Sequence, residues 1–356
     1  MRASVHQRHG FECGSFIATR FTHASEQASL RATSRQEGRR AQVKRTTMLR
    51  RATLSATLAL CAVAASISPA FAYLPPPLAA LNRDVRVAAR HVPAAIALDV
   101  LDLNSGYHAG YNAGRSMPAA STIKVPVMVE VFEELQAGRL DLNRRVTLLP
   151  SDKDDGSGDL SGARVGQSFT VSELLGKMID ISDNTATNML IRLVGRRNIN
   201  RQMSELGLDH THLAGDVRTS GWSIRQVLRT SPSDLVQLLS LMARGQLVDQ
   251  WSSNEMIALL EADQFNTLLP EPLPDNVAIA HKTGSLFDTL NDAGIVYAAD
   301  APYVIAVMTT ELPSKELGRT FIHKVSRMAY EGEVRYARWR SVMGISPAFK
   351  IGRAHV

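Results

Sequence analysis

Strand-like and helix-like segments are segregated along this chain, and that separation restricts the folds open to it. Near one end Ile96, Leu98 and Val100 alternate with other residues, the period of a strand. An Asn104-Ser105-Gly106 turn then leads to a returning run at Tyr107–Tyr111. Near the other end three apolar runs, Val277–Lys282, Ala293–Ala299 and Tyr303–Thr310, predict an antiparallel meander. The stretch between them has helical spacing, as in Val125, Met128, Phe132 and Leu135, or Leu174, Leu175, Met178 and Ile179. Thr170 with Glu173 makes a capping box, Gly195 and Gly207 close two helices, and Ser231-Pro232 opens another. Ser252 with Glu255 is a second expected capping box. Helices are predicted over Leu81–Val92, after an extended Pro-rich lead-in at Tyr73–Leu78, and from Ser314 through Met328. Strands at both ends close into one sheet most simply. The expectation is an α+β fold of two lobes, an antiparallel sheet flanked by terminal helices plus an all-helical lobe.

Within this layout three short stretches carry chemistry. Ala120-Ser121-Thr122-Ile123-Lys124 puts a lysine three residues after a serine, on the same face of a helix. A serine hydroxyl needs a base before it can attack, and Lys124 is within reach of that task. Free N–H groups in the first helical turn favour a developing oxyanion. Alone, Ser-x-x-Lys is common and compatible with a solvated lysine. Ser182-Asp183-Asn184 follows 61 residues after Ser121, and His281-Lys282-Thr283-Gly284-Ser285 places Lys282 100 residues after Ser182. The three stretches in this order are those of class A β-lactamases and penicillin-binding proteins. Residues 80–335 resemble a class A β-lactamase-type serine hydrolase, also in Leu101-Asp102-Leu103-Asn104-Ser105-Gly106 and Asp183-Asn184-Thr185-Ala186-Thr187-Asn188.

The resemblance implies roles. Ser121 would be acylated and Lys124 would take its proton, helped by Lys282 and burial, which lower a lysine pKa. Ser182 and Lys282 would pass the proton to the leaving nitrogen. Asn184 would bind the substrate amide, and Thr283, Ser285 and Lys282 its carboxylate. The N–H groups of Ser121 and Ser285 would form the oxyanion hole. Gly284 would let substrate approach the strand. Asp183 reads as a helix cap or loop anchor, and His281 as a side chain packed beside the strand.

One stretch departs from the family. Its omega loop carries a glutamate and, four residues on, an asparagine, which together hold the deacylating water. Aligned through Thr211 and Leu213, these positions fall on Val217 and Gly221, neither of which can serve. A displaced Asp216 is a minority alternative. Three functions stay open: a β-lactam-hydrolysing enzyme with slow turnover or a substitute base, a penicillin-binding-protein-like peptidase or esterase acting on cell-wall peptides or small esters, and a binding module that has lost catalysis. The intact trio argues against the last.

Charge and termini bound the rest. The chain of 356 residues has 40 Lys and Arg against 34 Asp and Glu. Residues 1–72 hold 11 and 3 of these, leaving 29 against 31, so the basic excess is no sign of nucleic-acid binding. Met48-Leu49-Arg50-Arg51, the apolar run Ala52–Ile67 and Ala70-Phe71-Ala72 read as a signal peptide over 48–72, too short to span a membrane stably. Residues 1–47 read as an untranslated or disordered upstream segment, and 351–356 as a translated sequencing adapter. Cys13 and Cys61 both precede Ala72, so the exported chain has no disulfide. Its histidines lack metal-ligand spacing; no metal or cofactor is expected. The expected product is a periplasmic or extracellular monomer whose partner is a small-molecule substrate, a β-lactam or cell-wall peptide. N-terminal sequencing of the exported protein should begin at Tyr73; an uncleaved chain starting at Met1 would overturn the leader assignment.

Overall fold

The computed structural model describes residues 74–218 and 224–349. The expected signal peptide with its Ala72 site, the upstream segment, Gly221, Trp222 and the expected adapter lie outside the described residues. In chain order the elements are α1 (Pro76–Arg90), β1 (Ala95–Asp102), β2 (His108–Tyr111), β3 (Met117–Pro118), a 3-10 turn (Ala120–Ile123) running into α2 (Lys124–Gln136), β4 (Arg145–Thr147), β5 (Ser168–Thr170), α3 (Val171–Asp180), α4 (Asn184–Val194) and α5 (Arg196–Glu205). There follow β6 (His212–Leu213), α6 (Ile224–Val227), β7 (Leu228–Thr230), α7 (Pro232–Ala243), α8 (Gln250–Glu261), β8 (Ala278–Leu286), β9 (Thr289–Tyr297), β10 (Tyr303–Thr310) and α9 (Lys315–Val342).

The two ends of the chain meet in one antiparallel sheet of order β2-β1-β10-β9-β8. Ala95 of β1 lies opposite Thr310 of β10, and Lys282 of β8 opposite Ala293 of β9. Alternate residues Ile96, Leu98, Val100, Tyr303, Ile305 and Val307 pack against Leu81 and Val85 of α1 and Phe321, Ile322 and Val325 of α9. Each such side chain contributes ~1.5–3 kcal/mol by leaving water. α7 lies against β1, β9 and β10. With both faces covered, β1 is buried at all eight positions, more completely than its alternation suggests. β8, which carries Lys282, Thr283, Gly284 and Ser285, is an edge strand whose outer backbone faces the second lobe.

That second lobe is built around α2. Val125, Val127, Met128, Val129, Val131 and Phe132 are all buried, so the helix is enclosed all round rather than along the single stripe expected. α3, α4, α5 and α8 surround it. The expected two-lobed α+β fold is the fold observed.

Local departures have local causes. The lead-in is shorter than expected, because Pro76 and Pro77 occupy the first turn of α1, where a missing N–H breaks no helical bond. Ser252 does not cap α8: Asp249 does, accepting from the Ser252 N–H at 2.7 Å. α9 runs to Val342, well past Met328, because Ala329, Gly332 and Tyr336 prolong its buried face. The Thr170–Glu173 capping box forms as expected, with Glu173 N donating to Thr170 Oγ1 at 3.1 Å. No helix among the described residues is long and apolar enough to cross a membrane.

One buried side chain ties the sheet to the segment before Ser121. Asn291 of β9 donates to the carbonyls of Pro118 and Ala119 at 2.9 and 3.1 Å, and accepts from Thr309 N at 3.1 Å. Removing it leaves buried groups without partners, at ~1–3 kcal/mol each. Asn291→Ala should therefore lose about 2–4 kcal/mol in urea unfolding; a wild-type midpoint would refute the tie.

Candidate active site

Ser121 is the second residue of the 3-10 turn, and Lys124 begins α2. Pro126 thus falls in the first turn of the α-helix, where its missing N–H is tolerated without breaking the helix. The turn is held from several sides. Thr122 Oγ1 donates to Ala119 O at 2.7 Å, and Ala119 N donates to Leu228 O at 2.9 Å. Ala120 has φ +49°, a left-handed conformation costly for a residue with a Cβ. Gly284 explains how β8 comes so close. A Cβ there would meet Ala119 O at 3.0 Å, Ala120 Cβ at 3.1 Å and Ser121 N at 3.1 Å. The glycine is thus already required by the protein's own backbone. Its absent side chain brings the edge strand and the Ser121 N–H side by side.

Lys124 has no exposure. Its Nζ reaches Ser182 O at 2.5 Å, Ser182 Oγ at 2.9 Å and Asn184 Oδ1 at 2.7 Å. The two Ser182 atoms belong to the turn between α3 and α4, and Asn184 is the first residue of α4. Ser182 has φ +55°, and Asp183 caps α4, accepting from Ala186 N at 2.7 Å. Asp183 Oδ2 also accepts from the Asp159 and Leu160 N–H groups at 2.7 and 2.8 Å, so it is the expected loop anchor as well. Burial holds the Lys124 ammonium well below the usual lysine range, and the charge of Lys282 pushes the same way; Asp183, Asp154 and Asp263 oppose them. Burial of this kind favours the neutral amine over the ammonium. A neutral amine still satisfies this geometry if Ser182 Oγ–H donates to it while its own N–H bonds go to Ser182 O and Asn184 Oδ1.

On β8, Lys282 is equally buried but has a carboxylate partner, Asp263 Oδ2 at 2.8 Å, both side chains at 0% exposure. The Phe265 ring lies 5.6 Å from its ammonium. Asp263 also accepts weakly from Thr283 N at 3.3 Å. Ser285 Oγ accepts from Lys315 Nζ at 2.5 Å at the start of α9, which leaves its own O–H for another acceptor. His281 packs beside the strand as expected. Both ring nitrogens face oxygens, Asp292 Oδ1 at 2.9 Å and Asn266 Oδ1 at 3.1 Å, an arrangement fully satisfied only by the imidazolium.

The structure thus draws Ser182, Asn184 and Lys124 into one hydrogen-bonded group, with β8 alongside the Ser121 turn. Sequence reasoning missed Asp263, Lys315 and Asp154, which belong to no motif. An aspartate two residues after the end of α8 is the sequence hint for Asp263.

A family model described as "Beta-lactamase enzyme family" matches residues 80–332. The chain belongs to the β-lactamase enzyme family. A β-lactamase of Streptomyces fradiae is 27% identical over 290 residues, 77% of this chain and 92% of the relative. One of Rhodobacter capsulatus is 26% identical over 277 residues, covering 69% and 88%. The solved structure of PBP-A shares 31% identity with a TM-score of 0.69, over 74% of this chain and 99% of that one. A β-lactamase structure from Sphaerobacter thermophilus shares 29% with a TM-score of 0.66, covering 72% and 96%. The fold and family make this chain a serine hydrolase of the β-lactamase type.

The stretch expected to correspond to the omega loop holds Asp216 and Val217. Val217 is buried, and its backbone is clasped by Asn188, whose Oδ1 accepts from Val217 N at 2.8 Å and whose Nδ2 donates to Val217 O at 3.0 Å. Asp216 is exposed and pairs with Arg218 at 3.3 Å.

Burial alone would push His281 down, but the charge and hydrogen bond of Asp292 outweigh it, with Asp263 adding to them, and the net shift is upward from 6.5. A raised folded pKa contributes stability that is complete below the unfolded value and lost as pH rises through the folded one. The stability advantage of wild type over His281→Asn should therefore narrow as pH rises above about 6.5, the unfolded value; urea titrations giving a constant or growing gap would contradict the pairing.

Proposed function

We propose that this chain is an exported hydrolase, with a leader at 48–72 and its hydrolase domain over 80–335, that is acylated on Ser121 by β-lactams and releases the acyl group slowly. The observation that carries the reading is Lys124, fully buried and, among the described residues, hydrogen-bonded to the neutral oxygens of Ser182 and Asn184. Once Ser182 Oγ–H turns away and frees the Lys124 lone pair, the neutral amine takes the Ser121 Oγ proton while Oγ attacks the lactam carbonyl. The oxyanion forms between the Ser121 and Ser285 N–H groups. As the C–N bond breaks, the proton passes from Lys124 through Ser182 to the leaving nitrogen, with Lys282 adjacent. Asn184 binds the substrate side-chain amide, and Thr283, Ser285 and Lys282 its carboxylate.

Deacylation is the weak half. Val217 presents an alkyl group where the family places a glutamate, and exposed Asp216 is engaged with Arg218. General-base catalysis contributes ~10²–10⁴-fold, so hydrolysis of the acyl-enzyme should be slower by about that factor. A second reading, a penicillin-binding-protein-like peptidase or esterase, is favoured by the likeness to PBP-A; a mutant of that protein is known as an acyl-enzyme with penicillin G, 31% identical with a TM-score of 0.67 over 74% of this chain and 100% of that one. Both readings share Ser121 and differ in natural substrate.

Intact-mass spectrometry with penicillin G tests the proposal. Wild type should gain one penicilloyl mass that persists well after mixing, giving a burst and then slow turnover. Ser121→Ala should gain none, with a melting temperature close to wild type. Labelling of Ser121→Ala, or rapid turnover without a burst, would overturn it.

A further inference from the structure

A buried carboxylate stands in this site that none of the three motifs supplies. Asp154 comes from the polar loop between β4 and β5 and is 8% exposed. Its Oδ1 accepts from Asn184 Nδ2 at 2.8 Å and from Gly156 N at 3.1 Å. The loop is fastened to α4 through its backbone. Thr185 Oγ1 accepts from Asp154 N and donates to Asp154 O, both at 3.1 Å, and Asn188 Nδ2 donates to Asp152 O at 3.0 Å. The carboxylate is therefore delivered to Asn184 by contacts that do not depend on the carboxylate.

The consequence falls on Asn184. A side-chain amide turned by half a revolution keeps its shape but exchanges a donor for an acceptor. Here its two ends face opposite charges: the oxygen meets Lys124 Nζ at 2.7 Å and the nitrogen meets Asp154 at 2.8 Å. The reversed amide would set N–H against the ammonium that Lys124 becomes on taking the proton, which can only donate, and a carbonyl against a carboxylate. We propose that Asp154 is a positioning residue of this site, holding the Asn184 amide with its oxygen on Lys124 and balancing the charge Lys124 acquires when it takes the Ser121 proton. The proposal rests on the reading of Lys124 as the base. The charged groups around Lys124 are Lys282 on β8, Asp183 at the cap of α4, Asp263 after α8, and Asp154; the three carboxylates favour the ammonium and Lys282 opposes it. Asp263 is bonded to Lys282 and Asp183 to three backbone N–H groups. Asp154 reaches Lys124 through the Asn184 amide.

Asp154→Asn keeps an oxygen for Asn184 but removes the charge, and Asp154→Leu removes both. Lys124 can be read without turnover, by following its ¹³Cε resonance against pH in lysine-labelled protein. In Asp154→Asn that titration should move to lower pH by about one pH unit or more, and the acidic limb of acylation by penicillin G should move with it. Asp154→Leu should in addition slow acylation at least about tenfold, through misorientation of Asn184. Asp154→Ser, smaller and also uncharged, should give the same titration shift and serves if the Asn variant does not fold. An unmoved Lys124 titration in a folded uncharged variant would overturn the proposal. If wild type is not acylated by penicillin G, the β-lactam reading fails, while the titration still decides the part played by Asp154.

Discussion

Two lysine side chains are fully buried within one site, and much of the surrounding structure can be read as the means of tolerating them. An isolated ammonium in a protein interior costs several kcal/mol unless it is paired or loses its proton. The two lysines meet that requirement differently. Lys282 has Asp263 at 2.8 Å. Lys124 has the neutral oxygens of Ser182 and Asn184. Neighbouring groups whose environments differ in this way can divide acid and base work between them. The ion pair keeps a cation on the edge strand where an anionic substrate group would lie, while the unpaired amine, further discouraged from ionising by that cation, is suited to accept a proton.

Backbone strain sits in the same place. Ala120 precedes the serine of the first motif and Ser182 opens the second, and both have positive φ. Such residues cost ~1–3 kcal/mol each and persist only where the surroundings over-determine them. Those surroundings are visible: Asn291 on two consecutive carbonyls before the turn, Gly284 admitting the edge strand, and Asp183 anchoring the Ser182 turn to the loop at Asp159 and Leu160.

Much of this was legible in the residues because it depends on local pattern. Alternation at Ile96, Leu98 and Val100 and three apolar runs near the other end placed the sheet strands, Thr170–Glu173 and Ser231 gave helix starts, and the spacing of Ser121, Ser182 and Lys282 pointed to the family. What the sequence concealed depends on contacts between distant segments. Asn291 and Asp263 look like ordinary polar residues until the fold brings Pro118 and Lys282 to them. Asp154 lies in a polar, Gly-rich stretch with no apolar period, and its burial follows from the docking of that loop on Thr185 and Asn188. Ser252 misled because the stronger cap, Asp249, stands three residues earlier, and the end of α9 was hidden because small residues prolong its buried face, Gly332 against Leu81 of α1.

The site draws on both lobes, with consequences for how the protein fails. Ser121 is tied to the sheet through Asn291 and Gly284, whereas the oxygens that hold Lys124 belong to the turn between two helices of the other lobe. Loosening of one lobe against the other would separate these groups before either lobe lost its own core. Catalysis thus acts as a gauge of how firmly the halves are docked, and activity should fade on heating ahead of global melting. A molecule bonded to Ser121 and touching Asn184 would work in the opposite sense, as a rivet between the lobes.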